Sequence, residues 1–256
     1  STVNVLSGAT LVGTGTAGSM SVAAGATLAP TGTQGVLNVQ GKLEMNDGAT
    51  LSVHENHQPS GTTMAVYGQT YQQLYSGRVA VSGSTALTGT LNVNVIPGTF
   101  LKSHEYYTLI TSSGGFSSKT DALQSNLLSL YTFISPSLYY TGNDLDLLLY
   151  RNNVTFSSVG QTRNEREVAR VLDTLPESNV VVQGMESLNA ADARQSMNAV
   201  SGEVYASAST ALIQDSVYVR QAVLDRLDTA DCREGDMRGA IHTASLATGR
   251  KDEGCL

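Results

Sequence analysis

Short stretches in which apolar and small polar residues alternate dominate the first hundred positions: Val3-Asn4-Val5, Ser19-Met20-Ser21-Val22, Leu37-Asn38-Val39 and Leu91-Asn92-Val93-Asn94-Val95. A period of two sends every second side chain to the same face, so each stretch predicts a short strand with one buried side. The tetrapeptide Gly-Ala-Thr-Leu recurs at Gly8, Gly25 and Gly48, in steps of 17 and 23 residues. Looser echoes are Ser84-Thr85-Ala86-Leu87 and Gly89-Thr90-Leu91. Repetition near 20 residues built from short strands predicts about four or five stacked coils of a β-solenoid, each turning at a glycine. A β-sandwich is the competing fold, since many short strands also pack as two sheets. Repetition at comparable phase favours the solenoid, because sandwich strands need not resemble one another.

The pattern changes at Tyr106. Residues Tyr106 to Thr111 predict a strand, Gly114-Gly115-Phe116 a turn, and Leu138 to Leu149 a hairpin of two strands joined through Gly142-Asn143-Asp144. Aromatic residues concentrate here, as they must where the open end of a stack is covered. Residues 1–103 are thus read as solenoid coils and 104–151 as a cap.

Beyond Arg151 the period becomes helical. Residues 203–228 lack Pro and Gly and place Val204, Ala208, Ala211, Leu212, Val219, Val223 and Leu227 mostly three or four apart, with Asp215 and Ser216 interrupting that face. A helix of that length spans about 39 Å, more than a hydrocarbon layer of about 30 Å. Glu203, Asp215, Arg220, Asp225 and Arg226 nevertheless forbid contact with lipid. A polar barrel lumen meets both conditions, and Ala206 to Ala211, all small residues, keep the rod slim. The plainer reading is an ordinary helix bundled with residues 162–200. Residues 152–200 are assigned to a helical linker and 229–256 to a polar loop.

Composition sharpens the boundary at Arg151. Residues 1–150 hold 18 of the 25 glycines but 11 of the 37 charged residues, so the remainder is the charge-rich, helix-forming part. A net charge of -7 argues against nucleic acid, which needs clustered Lys and Arg. Cys232 and Cys255 lie 23 residues apart in a polar stretch, with no CxxC and with His242 the only histidine between them. A disulfide, two free thiols and a ligand-poor metal site all remain open; a disulfide suits the periplasm or cell exterior.

Three blocks resemble the single-chain (type V) bacterial autotransporters. Tyr106 to Thr111 with Gly114-Gly115-Phe116, and Leu138-Tyr139-Tyr140-Thr141-Gly142-Asn143-Asp144-Leu145 ending in Arg151-Asn152, resemble the passenger's C-terminal autochaperone region, as does Leu28-Ala29-Pro30 leading to Gly35–Gly41. Thr162 to Ala169 resembles the opening of the family's helical linker. Val200-Ser201-Gly202-Glu203-Val204-Tyr205-Ala206-Ser207-Ala208, continuing through Val219-Arg220-Gln221 to Arg226-Leu227, is the most specific block. The resemblance implies an all-β, right-handed parallel β-helix with a C-terminal β-hairpin cap, followed by an α-helical linker. It further implies a cell-surface or secreted passenger whose cap promotes folding and translocation across the outer membrane. The implied cap motif is Tyr106, Leu109, Gly115, Phe116, Tyr140, Gly142 and Asn143; the implied pore-helix motif is Ser201, Gly202, Glu203, Ala206, Ala208, Arg220 and Arg226. Its implied partners are the protein's own outer-membrane β-barrel, the outer-membrane assembly machinery and periplasmic chaperones.

Other chemistry finds little support. Gly13-Thr14-Gly15-Thr16-Ala17-Gly18 has the form GxGxxG, but a strand-like stretch follows and the first acid is Glu44, so no dinucleotide site is expected. There is no Gly-x-Ser-x-Gly elbow. His54-Glu55-Asn56-His57 spaces its histidines by three and reads as a solvated loop, with adventitious metal binding as the alternative. Residues 1–103 hold Glu44, Asp47, Glu55, Lys42, Arg78 and Lys102 as their only charged side chains, too few for a polysaccharide-cleaving face. The expectation is a non-enzymatic chain with no cofactor and no metal. Tyr67, Tyr71 and Tyr75, four apart in an apparent insertion, either pack on the solenoid flank or form an adhesin-type surface for a host ligand.

Overall fold

Three sheets take up the strands in rotation, each circuit of the chain laying one strand in each sheet. The first sheet stacks β1 (Thr2–Val5), β4 (Ser19–Val22), β7 (Leu43–Met45), β12 (Thr85–Leu87) and β15 (Phe116–Ser118). The second stacks β2 (Thr10–Val12), β5 (Thr27–Ala29), β8 (Thr50–Val53), β13 (Leu91–Val95) and β16 (Leu123–Ser125). The third stacks β3 (Gly15–Ala17), β6 (Val36–Val39), β11 (Arg78–Val81) and β14 (Glu105–Ser112), and then adds β18 (Asp144–Arg151) and β17 (Ile134–Thr141). This computed structural model describes residues 1–32, 34–53, 55–95 and 101–237, with the side chains of 55–57, 95, 203–204 and 228–237 left out. The described part is mostly β, with parallel sheets of a β-helix-like kind and a C-terminal helix.

The repeat explains the stacking. Leu11, Leu28, Leu51 and Val93 are successive partners in the second sheet, and Val5, Val22, Met45 and Leu87 in the first. Leu37, Val79 and Ile110 form the matching column of the third. These columns make one continuous core, so identical phase in the sequence becomes identical depth in the fold. The three Gly-Ala-Thr-Leu copies stack directly: Gly8 N–H donates to the Gly25 carbonyl and Gly25 N–H to the Gly48 carbonyl, each at 3.1 Å. All three glycines have φ between 71° and 79°, a left-handed corner that a Cβ would strain. At another corner, a Cβ on Gly83 would come within 2.5 Å of the Gly41 carbonyl oxygen, so the backbones there meet too closely for a side chain.

The looser echoes differ in phase. Thr85 pairs with Leu43 in the first sheet, and it is Asn92-Val93, not Thr90-Leu91, that stands opposite Thr50-Leu51. The parallel ladders also run beyond residue 103: β14, β15 and β16 continue all three sheets to Ser125. β15 and β16 were not legible, because Phe116-Ser117-Ser118 and Leu123-Gln124-Ser125 are too short and polar to show alternation.

Between β8 and β11 the chain makes a hairpin of β9 (Glu55–Val66) and β10 (Gln69–Ser76). The stretch after His54 is therefore strand rather than loop, with Pro59 tolerated because β9 pairs on one side only, with β10. His54 and the His57 side chain lie outside the described residues. β10 extends the third sheet sideways, pairing with the first half of β14 (Gln72↔Glu105) while β11 pairs with the second (Val79↔Ile110). On its other edge β14 receives β18 antiparallel (Tyr107↔Leu147), and β17 pairs antiparallel with β18.

Helices α1 (Leu127–Leu130), α2 (Phe156–Val159), α3 (Arg163–Leu172), α4 (Val180–Glu186) and α5 (Ala190–Val200) complete a compact unit, Ser1–Val200. Phe133, at the foot of β17, packs into the core that Phe156, Leu172, Met185 and Met197 form among α2–α5. α3 starts at a capping box: Thr162 Oγ1 accepts from Glu165 N–H (3.2 Å) and Glu165 Oε2 accepts from Thr162 N–H (3.1 Å).

The second unit, Ser201–Leu256, is built on α6 (Glu203–Met237). The helix continues through residues 229–237, where a polar loop was expected. Ala230, Arg233 and Glu234 favour helix, and Gly235 is the first glycine or proline after Gly202. Its apolar residues occupy two sides: Ile213, Val217 and Leu224 lie about half a turn from the row through Ala208, Leu212 and Val219. A single apolar stripe was expected. Ile213, Leu212 and Val219 are all exposed.

Leu28 is fully buried at the centre of its column. Replacing it by Ala should cost about 2–5 kcal/mol in urea unfolding. A loss below about 1 kcal/mol would mean that the columns do not pack as described.

Candidate functional site

β14 carries eight residues and is exposed to packing on both faces, because β10, β18 and β17 widen the third sheet beyond the width of one coil. Tyr107, Leu109, Leu147 and Leu149 point into the main core. Tyr106 and Leu148 point outward, where they join Val66 and Tyr71 in a separate cluster flanked by Met64 and Tyr139. Two layers of apolar side chains thus sandwich the strands of the cap.

On this outer face lies a groove of about 450 Å³, lined among others by Tyr67, Tyr71, Tyr139, Tyr150, His104 and Glu177. Tyr67 and Tyr139 meet edge to face, with ring centroids 6.4 Å apart at 73°. Tyr71 and His104 rings lie 5.3 Å apart, and His104 Nε2 is 3.8 Å from Glu177 Oε2. Tyr67 (φ 51°) and His104 (φ 63°) are the two non-glycine residues with positive φ among those described, and both line this groove. Backbone strain of this kind persists where surrounding structure imposes it and tends to gather at functional positions.

A relay of hydrogen bonds, part-buried at Ser60 and Gln73 and buried at Thr108 and Asp146, crosses the widened sheet. Ser60 Oγ donates to Gln73 Oε1 (2.8 Å), Gln73 Nε2 donates to Thr108 Oγ1 (2.9 Å), and Thr108 Oγ1 donates to Asp146 Oδ1 (2.7 Å). One chain of hydrogen bonds therefore links β9, β10, β14 and β18. Burial pushes the Asp146 carboxyl up to about 6, against the opposing effect of hydrogen bonds from Thr108 and Thr141, with Asp144 adding a further rise.

The last residue of β18 fastens the cap to the helices. The Arg151 guanidinium lies 5.1 Å above the Phe133 ring and 4.8 Å above Phe156, and its Nη1 donates to the Phe133 and Asn152 carbonyls. Its Nε is 3.5 Å from Glu186 Oε1, while Ser103 Oγ donates to Glu186 Oε2 (2.7 Å). Burial raises the Glu186 carboxyl, and Ser103 and Arg151 hold it back. In the sequence Arg151 stood only as the end of the hairpin block and the composition boundary, and Glu186 was not singled out, because no local pattern links the two.

The cap-motif residues divide. Phe116 stacks edge to face on Tyr140 at 5.1 Å, and the Tyr140 hydroxyl donates to the Thr120 carbonyl and accepts from Thr120 N–H. Gly142 and Asn143 form the two-residue turn of the hairpin, and the Asn143 carbonyl accepts from Ser112 N–H (2.8 Å), three residues before Gly115. Gly115, Phe116, Tyr140, Gly142 and Asn143 thus gather at one end of the cap. Tyr106 and Leu109 lie on opposite faces of β14. The three insertion tyrosines also part company: Tyr67 is 92% exposed at the hairpin tip, Tyr71 is 6% exposed in the outer cluster, and Tyr75 is half-buried. Of the residues expected in a pore-helix motif, Ser201 and Gly202 form the turn before α6, Glu203 opens it, and Ala206, Ala208, Arg220 and Arg226 are exposed along it. Cys232 lies in α6 with its side chain outside the described residues, as is all of Cys255, so their pairing is outside the description too. Among the described residues no group of three or more His, Cys, Asp or Glu is placed to hold a metal.

The class of protein that this geometry defines is a mostly β, parallel-sheet domain carrying a C-terminal helix, and no family model matches it. Two curated proteins, both named extracellular serine protease and both from Serratia marcescens, are similar to the chain at 25% and 24% identity over 169 residues. Each alignment covers 50% of this chain and 16% of the relative, so the chain spans a small part of the proteins it matches. These names correct the expectation of a non-enzymatic chain: the similarity points to proteins with enzyme activity. They agree with an extracellular or surface location. No described helix is long and apolar enough to cross a membrane, which says nothing of β-barrels.

Two outcomes follow from the buried charges. The folded Asp146 carboxyl titrates near 6 instead of 3.8, so the folded state holds its proton more tightly than the unfolded chain does. Its stabilising effect is complete below pH 4 and lost as pH rises through about 6, a change of about 3 kcal/mol. Unfolding measured from pH 4 to pH 7 should show wild type losing that much relative to Asp146→Asn; parallel curves would contradict the burial. Arg151→Ala should cost about 3–5 kcal/mol by leaving Glu186 buried without its cation. Adding Glu186→Gln should recover part of the loss, and strict additivity in a double-mutant cycle would show the pair to be uncoupled.

Proposed function

We propose that this chain is the C-terminal part of the passenger of an autotransporter whose whole protein is an extracellular serine protease. Residues 1–125 form a right-handed parallel β-helix, the β17–β18 hairpin closes its end as an autochaperone, and residues 152–200 link it to α6. The start of α6 occupies the pore of the protein's own outer-membrane barrel. The outer-membrane assembly machinery and periplasmic chaperones are the partners of that route.

One observation carries the reading: the parallel ladder ends under an antiparallel hairpin hydrogen-bonded to its last long strand. An open parallel edge offers unpaired N–H and C=O groups to any passing strand. Once covered at one end, the stack grows from the other, each coil templating the next. Folding outside the cell then draws the remaining chain outward. The charges and two apolar sides of α6 suit a water-filled lumen better than lipid.

The test uses the full-length protein with its barrel, expressed in an outer membrane. Deletion of residues 134–151 should abolish protease-resistant passenger at the cell surface while leaving the barrel assembled. Surface passenger that remains folded and resistant after the deletion would refute the autochaperone role.

A further inference from the structure

We propose that the groove bounded by Tyr67, Tyr71, Tyr139 and Tyr150 binds a neutral oligosaccharide. The proposal does not depend on the export reading: the groove uses side chains on the outer face of the cap strands, whereas the ladder is closed by the backbone pairing of those strands.

Four features select this ligand class. First, the groove offers aromatic faces: Tyr67 and Tyr150 are exposed, and Tyr67 stands nearly perpendicular to Tyr139 at 6.4 Å, making a two-walled corner. The C–H face of a pyranose ring carries slight positive charge and is apolar, so it stacks on the negative face of such a ring. Second, the phenol groups, Ser137 and Gln69 supply short uncharged hydrogen-bonding groups beside those faces, as sugar hydroxyls require. Third, the charged groups at the rim are matched within the chain: Arg151 faces Glu186, and Glu177 faces His104. With Arg151 matched by Glu186, the groove leaves no unmatched cation for a phosphate, a sulfated chain or an acidic peptide. Fourth, the groove runs over a sheet face, where the backbone groups are already paired in the β10–β14–β18–β17 ladders. An extended peptide binds by adding to a free strand edge, such as the outer edges of β9 and β17, and not to the sheet face on which the groove lies.

The strained backbone adds an independent pointer. Tyr67 is held at φ 51°, where glycine would sit without strain, and its edge-to-face contact with Tyr139 still leaves it 92% exposed. His104, on the far side of the groove, shares that conformation. The volume of about 450 Å³ falls within the usual range of ligand sites and admits a short saccharide.

The test titrates the purified chain with cellotetraose, chitotetraose and lacto-N-tetraose, followed by calorimetry and by tyrosine emission, which no tryptophan obscures. At least one should bind saturably. Tyr67→Gly should weaken that binding by roughly tenfold or more while melting at or above the wild-type temperature, and Tyr67→Phe should retain it. Absence of binding to all three sugars, or binding that Tyr67→Gly leaves unchanged, would overturn the proposal. Loss of binding in Tyr67→Gly with an unaltered melt separates the site from any effect on folding.

Discussion

A parallel ladder cannot close on itself, and that constraint organises the whole of residues 1–200. Every strand from β4 to β8 and from β11 to β13 obtains hydrogen-bond partners by being stacked between the circuits before and after it, so the terminal circuit is left with one unpaired edge. β14 resolves this by reversing the rule: it takes β11 and β10 in parallel on one side and β18 antiparallel on the other. The chain reaches this edge by way of β15, β16 and β17, and the two-residue turn Gly142-Asn143 then lays β18 between β17 and β14.

Widening the third sheet has a cost that the side chains meet. Strands that project beyond the coil expose two faces, so the outer face of the cap requires its own apolar cover, supplied by Val66, Tyr71, Tyr106 and Leu148. Polar groups trapped between the layers must find partners, which is the task of the Ser60–Gln73–Thr108–Asp146 relay. The β9–β10 hairpin (ending at Ser76) and the β17–β18 hairpin (starting at Ile134) therefore become one structural feature joined through β14.

Legibility in the sequence followed locality. Strands with strict alternation, such as Ser19–Val22 and Leu91–Val95, and the hairpin around Gly142-Asn143, were visible because their signals sit within a few residues. The stacking of Gly8, Gly25 and Gly48 was visible because identical residues mark identical corners. The groove was half visible: three regularly spaced tyrosines suggested an aromatic surface, but a four-residue step keeps one face only in an uninterrupted helix or strand. In a hairpin with an irregular register between Gln72 and Tyr75, the spacing scatters them instead. Tyr139, Tyr150 and His104 join Tyr67 only through pairings of β10, β14, β18 and β17, which no local pattern encodes. The Arg151–Glu186 pair is hidden for the same reason.

The order of sequence separations bears on how the proposed export would proceed. The β17–β18 hairpin closes a two-residue loop, and its pairing with β14 spans a few tens of residues, while the columns of the core link circuits from one end of the coil to the other. Local closures lose the least chain entropy, so the β17–β18 hairpin can form first, and β14 then adds to it across a separation similar to that between successive circuits. Once β14 is held by β18, its opposite edge presents a template to β11 at Val79↔Ile110, and β11 in turn to β6 at Val79↔Leu37. Folding that starts at the cap would thus advance from the C-terminal end towards the N-terminus. A chain emerging C-terminal end first through a pore would meet its folding template already in place, whereas the opposite order would leave the coils to stack with their closing edge still missing.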